Sequence, residues 1–191
     1  MRWLPTALPQ RVEVGEITFE PLTPELLSAD YAAVMRDTPM LRQWCGQDWP
    51  RPDFSLAENL ADLEHHDREQ RDGVALTYSV FCHDLLIGCI YVRPIRDALE
   101  TRDVVLVDPA LLPTGDVAVR GWAHEIDATT LIATTLAFLQ SAPVAFPRIW
   151  WQTNVDCVAQ LAACSEVGLT QHLSFSGPTT TWILATRPSP G

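Results

Sequence analysis

Apolar residues fall into short separated runs along this chain, and the period inside each run assigns its elements. Ile17 to Leu22 alternates as a short strand. Thr23, Pro24 and Glu25 then supply an N-cap, a proline at the first helical position and an acid in the first turn, which predicts a helix to about Asp37. Thr38 to Asp53 holds Pro39, Gly46, Pro50 and Pro52 together with Trp44 and Trp49, so it reads as a loop carrying two large aromatics, of the kind that lines a pocket. From Ser55 the spacing of Leu56, Leu60 and Leu63 among many charges predicts an amphipathic helix to about Arg71, ended near Gly73. Ala75 to Cys82 and Leu85 to Pro94 alternate on either side of His83-Asp84 and form a hairpin.

The second half is less regular at first. Residues 95 to 116 read as an irregular excursion in which Val104 to Val107 is a short strand or a helical turn, broken by Pro109, Pro113 and Gly115. Asp116 to Trp122 is a strand, Asp127 to Gln140 a helix with Ile132, Leu136 and Leu139 on one stripe, and Arg148 to Asn154 another strand. An Ala-rich helix follows over Val155 to Val167, capped by Gly168, and Leu169 to Phe175 and Thr179 to Thr186 are the closing strands. The order is β-α-α-β-β-β-α-β-α-β-β. Residues 1 to 10 and 187 to 191 are Pro-containing loose ends, so a single domain with its core over about 17 to 186 is expected.

Composition narrows the function classes. The chain has 191 residues, with 24 Asp and Glu against 13 basic residues, all Arg, for a net charge of −11. Such an excess of acid repels phosphate backbones and anionic membranes, which excludes nucleic acid and membrane as expected partners and leaves cationic or amine substrates. No window reaches the ~20 apolar residues of a membrane span, and Pro5 and Pro9 stand where a signal peptide would be apolar, so a cytoplasmic location is expected. Five cysteines without a CxxC pair read as reduced, mostly buried thiols. His65 and His66 are adjacent on a helix with Glu64 and Asp67, which reads as a solvated face, and no metal site is expected. There is no GxSxG elbow, GxxxxGK[ST] loop or GxGxxG fingerprint.

Leu86-Ile87-Gly88-Cys89-Ile90, the unit from Val117 to Asn154 and Ser165-Glu166-Val167-Gly168-Leu169 together resemble the GNAT superfamily of acetyltransferases. Leu86-Ile87-Gly88-Cys89-Ile90 is similar to the family's third strand. The unit of strand Val117 to Trp122, helix Asp127 to Gln140 and strand Arg148 to Thr153 followed by Asn154 is the second match. Ser165-Glu166-Val167-Gly168-Leu169 resembles the family's entry into the penultimate strand. The resemblance implies a mixed, mostly antiparallel central sheet with helices on both faces, an acetyl-CoA co-substrate, and N-acetyl transfer to a small amine or peptide amine by direct attack on the thioester. It also implies a splay between the fourth and fifth predicted strands, with Val119, Arg120, Gly121, Trp122, Thr129, Thr130 and Asn154 beside the cofactor. The alternative is a non-catalytic GNAT-fold module that binds a ligand or protein. A homodimer is compatible with either.

The chain departs from the family at the phosphate loop. After Gly121 no glycine occurs before the helix, and Glu125 and Asp127 stand where a basic residue is usual. Thr129 and Thr130 either donate hydroxyls to an anion or belong to an N-cap with Asp127. For acid and base work the candidates are His124 and Glu125 just past the strand, Asp116 just before it, and Cys164, which holds the position where many members place a tyrosine. Trp44 and Trp49 with Asp48 between them form the expected amine cage, by cation–π and charge contact.

Overall fold

A computed structural model describes residues 9–100, 115–142 and 146–187. The expected strand or turn at Val104 to Val107, most of the N-terminal loose end and Pro188 to Gly191 lie outside the described residues. Among the described residues eight strands form one sheet: β1 Val12–Val14, β2 Ile17–Pro21, β3 Leu76–Cys82, β4 Leu85–Pro94, β5 Val117–Ala123, β6 Ile149–Asn154, β7 Thr170–Ser176 and β8 Thr181–Thr186. Their spatial order is β1-β2-β3-β4-β5-β6-β8-β7, antiparallel throughout except for β5 against β6. The helices are α1 Leu27–Arg36, entered through a short 3₁₀ turn at Pro24–Leu26, then α2 Thr38–Cys45, α3 Leu56–Asp72, α4 Ile95–Glu100, α5 Ala128–Ser141 and α6 Val158–Glu166. None of these helices is long and apolar enough to cross a membrane. The expected mixed sheet covered by helices on both faces is thus present.

Alternation along the central strands explains the two faces. Val117, Val119 and Trp151 point into a core shared with Leu131, Ile132 and Leu136 of α5 and with Ala163 and Cys164 of α6. On the other face Trp122 packs with Val34 of α1, Trp44 of α2 and Leu63 of α3. Fully burying residues of this size stabilises by ~2 kcal/mol each before conformational entropy is subtracted.

Three elements differ from the sequence reading. Thr38 to Cys45 is a helix and not a loop, because the Asp37 carboxylate accepts from the Met40 amide at 3.0 Å, Pro39 suits the first turn, and Gly46 closes the end at φ +62°. Val12–Val14 is a short edge strand paired with β2. Ile95–Glu100 is a helix at the start of the expected excursion. The β3–β4 hairpin turns where expected, with His83 and Asp84 both at positive φ. Close packing of β4 on β5 depends on Gly88, where a Cβ would meet the Trp122 carbonyl at 2.0 Å.

Candidate active site at the fork of the sheet

The parallel ladder between β5 and β6 runs for three positions, Val117–Ile149, Ala118–Trp150 and Val119–Trp151, and then stops. Beyond it β5 stays paired with β4 as far as Ala123, and β6 stays paired with β8 as far as Asn154. The two central strands therefore part company, and the next residue on each, Arg120 and Gln152, lines a cavity of about 310 Å³. Trp44 and Cys45 of α2 and the following Gln47 and Trp49 form one wall of it. Asp62 of α3, Tyr91 and Arg93 of β4, Ala98 of α4 and Ala118 of β5 contribute the rest.

Arg120 places its guanidinium 3.9 Å from the centre of the Trp44 ring and 4.9 Å from that of Trp182. Gln152 is 3% exposed, and its Nε2 has no hydrogen-bond partner among the described residues. Arg93 donates to Glu69 at 2.7 Å. Burial disfavours the Glu69 carboxylate, but His66, Arg93 and His65 outweigh it and hold its carboxyl below the usual range. Burial pushes the Tyr91 phenol well up, with Cys89, Asp62 and Asp30 adding to the effect, so it stays protonated.

Behind this wall lies a polar layer that the sequence reading missed. His66, expected on a solvated face, is buried: its Nδ1 lies 3.2 Å from the Thr77 hydroxyl and its Nε2 3.7 Å from Asp62. His65 remains at the surface. Asn59 donates at 2.9 Å to Asp30, which also accepts from the Cys89 thiol at 3.5 Å. Only the period of α3 signals this layer, since Asn59, Leu63 and His66 share one stripe of an otherwise charged helix.

The other face of the fork is occupied from within. Gln160 of α6 donates at 2.8 Å to the Gly121 carbonyl and accepts from the Trp151 indole at 3.3 Å, which bridges the two diverging strands. At the start of α5 the Asp127 carboxylate accepts from the Thr130 amide at 2.6 Å, and Thr129 donates its hydroxyl to Glu166 at 2.6 Å. The N-cap of α5 is therefore Asp127, and the Thr129 hydroxyl is engaged by Glu166.

The other expected site residues are scattered. His124 is tied to the Ala33 carbonyl at 3.0 Å through Nε2, and Glu125 pairs with Arg36 at the surface. Asp116 is buried at the closed end of the fork, accepting from Trp150 at 2.9 Å. Cys164 packs in the α5–α6 core, where burial pushes its thiol up to about 11. None of these four lines the cavity. Asn154 is fully buried, and its amide donates to the Gln43 and Trp44 carbonyls, both at 3.0 Å, so it fastens α2 to β6. Trp44 and Trp49 do line the cavity, but the cation over Trp44 is the protein's own Arg120, and Asp48 is an exposed partner of Arg42. Among the described residues no cluster of three or more His, Cys, Asp or Glu is placed to hold a metal ion.

Solved structures share the fold of this chain. RimL, a ribosomal L7/L12 alpha-N-protein acetyltransferase, matches with a TM-score of 0.69 at 15% identity, over 94% of each chain. The chain has the GNAT fold. Mycobacterium smegmatis RimJ in complex with CoA-disulfide gives 0.68 at 15% identity, over 95% of this chain and 87% of that one. Microcin C7 self immunity acetyltransferase MccE, in complex with acetyl-CoA and AMP, gives 0.70 at 12% identity, over 95% and 98%. No protein-family model and no curated protein matches the GNAT-fold chain by sequence.

Proposed function

We propose that the protein is an acetyl-CoA-dependent N-acetyltransferase acting on a small amine or peptide amine held in the cavity. The observation that carries this reading is the end of the β5–β6 ladder at Val119 and Trp151 with a cavity opening beside it. Solved neighbours of the same fold bound to CoA or acetyl-CoA add support.

The fit to acetyl-CoA divides along the molecule. The edge of β5 from Val119 to Trp122 that faces the fork suits the thioester arm, provided Gln160 turns away from Gly121. The start of α5 does not suit the diphosphate, since Asp127 already takes the Thr130 amide and Glu166 takes the Thr129 hydroxyl. The co-substrate supplies an activated acetyl group. On the protein's side, Trp44 and Trp49 wall off water and orient the acceptor, and Asp62 offers a carboxylate at the cavity to receive the amine proton.

The second reading, a non-catalytic ligand-binding module, is favoured by the Gln160 bridge and the acid-capped α5. Calorimetric titration with acetyl-CoA separates the two. Micromolar binding is expected for the transferase, and no heat at millimolar acetyl-CoA would overturn it.

A further inference from the structure

Asp62, His66 and Glu69 follow one another along one side of α3, and of the three only Asp62 lines the cavity. His66 stands directly behind it, 9% exposed in a strongly charged helix. Its Nε2 is 3.7 Å from the Asp62 carboxylate. Its Nδ1 is 3.2 Å from the Thr77 hydroxyl and 3.6 Å from the Glu69 carboxylate. The ring also packs on Tyr91 of the cavity wall, with centroids 5.3 Å apart. Contacts of 3.6 and 3.7 Å are ion-pair distances, longer than a hydrogen bond, and catalytic contacts commonly tighten by that much once a ligand is bound. Glu69 biases the imidazole. Despite burial its carboxyl lies below the usual range, because His66, Arg93 and His65 favour the anion, and an anion only accepts. Its side chain is also the more enclosed of the two carboxylates, 14% exposed against 41% for Asp62. The ring proton is therefore drawn to Nδ1, toward Thr77 and Glu69, which leaves Nε2 bare and facing the carboxylate at the cavity.

At neutral pH an amine acceptor arrives as its ammonium ion. Converting an ammonium and a thioester to an amide and a thiol releases one proton. The C–N bond forms as the C–S bond breaks, and of the two protons the nitrogen sheds, one leaves with the sulfur while the other has to be taken before the attack. We propose that Asp62 and His66 take this first proton as a pair, Asp62 from the ammonium and the Nε2 of His66 from Asp62. His66 acts through Asp62 and touches no substrate, and the proposal rests on the transferase reading, which it deepens. Once charged, the imidazolium stands between the carboxylates of Asp62 and Glu69, and Asp62 is anionic again while the freed amine attacks. The other titratable groups that face His66 are His65 of the same helix, Tyr91 of β4 and Asp30 of α1, while Arg93 is engaged by Glu69.

Two measurements test the pair. In the full chain without ligand, the ring-nitrogen chemical shifts of His66 in its neutral form, at about pH 8, should show the proton on Nδ1 and none on Nε2. The opposite tautomer would overturn the proposal, and because no variant is needed this result stands even if a His66 substitution folds poorly. The second measurement follows thiol release from acetyl-CoA with benzylamine and with alanylalanine, in the parent chain and in His66→Gln, across pH. Glutamine keeps a hydrogen-bonding side chain but takes up no proton. His66→Gln is expected to lower kcat/KM about tenfold near pH 7, and to come within about twofold of the parent above the acceptor's own pKa, ~8 for an α-amino group, where the amine arrives neutral. A purely structural role slows the reaction by the same factor at every pH, and that outcome with an active parent chain overturns this proposal alone. A parent chain that releases no thiol with either amine overturns the transferase reading, and the role of His66 falls with it.

Discussion

Asn154 uses its side chain entirely within the protein: the amide nitrogen donates to two carbonyls of α2, and the oxygen accepts from the Asp156 amide at 2.9 Å. Removing it takes away the donor to the buried Trp44 carbonyl at the point where Trp44 is held against the cavity. Asn154→Ala is therefore expected to cost about 2 kcal/mol of stability, read from urea unfolding midpoints, and to weaken ligand binding through a looser Trp44 wall. Asp30 acts on stability through its proton. Burial raises its carboxyl above the usual range, against the opposing donors Asn59 and Cys89. A folded value above the unfolded one means that the folded state takes up the proton first. The contribution is fully present below the unfolded value and is lost as pH rises through the folded value. Lowering pH through that window should stabilise the protein at this site, and Asp30→Asn should flatten that part of the stability profile.

Elements with local punctuation were legible from the chain, whereas those made by long-range contact were not. Ser55 and Glu58 form a reciprocal capping box at α3, and Asp127 caps α5, each visible as residue types at fixed spacing. The β3–β4 hairpin announced itself by alternation around His83-Asp84. α2 stayed hidden because its prolines and Gly46, read as breakers, serve as its first turn and its cap. Gln152 and Asp62 could not be assigned to one cavity, since only the parallel pairing of β5 with β6 and the docking of α3 bring them together. The same contacts hide Gln160, whose bridge depends on α6 lying against the fork. If that bridge obstructs the thioester arm, Gln160→Ala should bind CoA roughly tenfold more tightly than the parent chain, the value of one buried hydrogen bond to be broken. Equal affinities by calorimetry would show that Gln160 moves aside at no cost.

Charge acts over the whole molecule, and here its sign opposes the expected co-substrate. The chain carries a net −11, and near the start of α5 it adds Asp127 and Glu166 without the glycine-rich amide cradle that usually receives a diphosphate. Asp127 has its carboxyl held below the usual range by the Thr130 and Thr129 amides, so it is firmly anionic at neutral pH. Screening shortens the reach of this field to about 10 Å at 0.1 M salt and much less at higher concentration. A polyanionic co-substrate held mainly by its thioester arm should therefore bind more tightly as sodium chloride is raised from about 20 mM to about 200 mM. A site that grips phosphates with cations gives the opposite slope, because salt screens that attraction. Calorimetry with acetyl-CoA at the two salt concentrations reads the sign directly. Tighter binding at high salt would place the affinity in the fork. Weaker binding would mean that arginines reach the diphosphate after all, and the assignment of the arm as the main anchor would have to be given up.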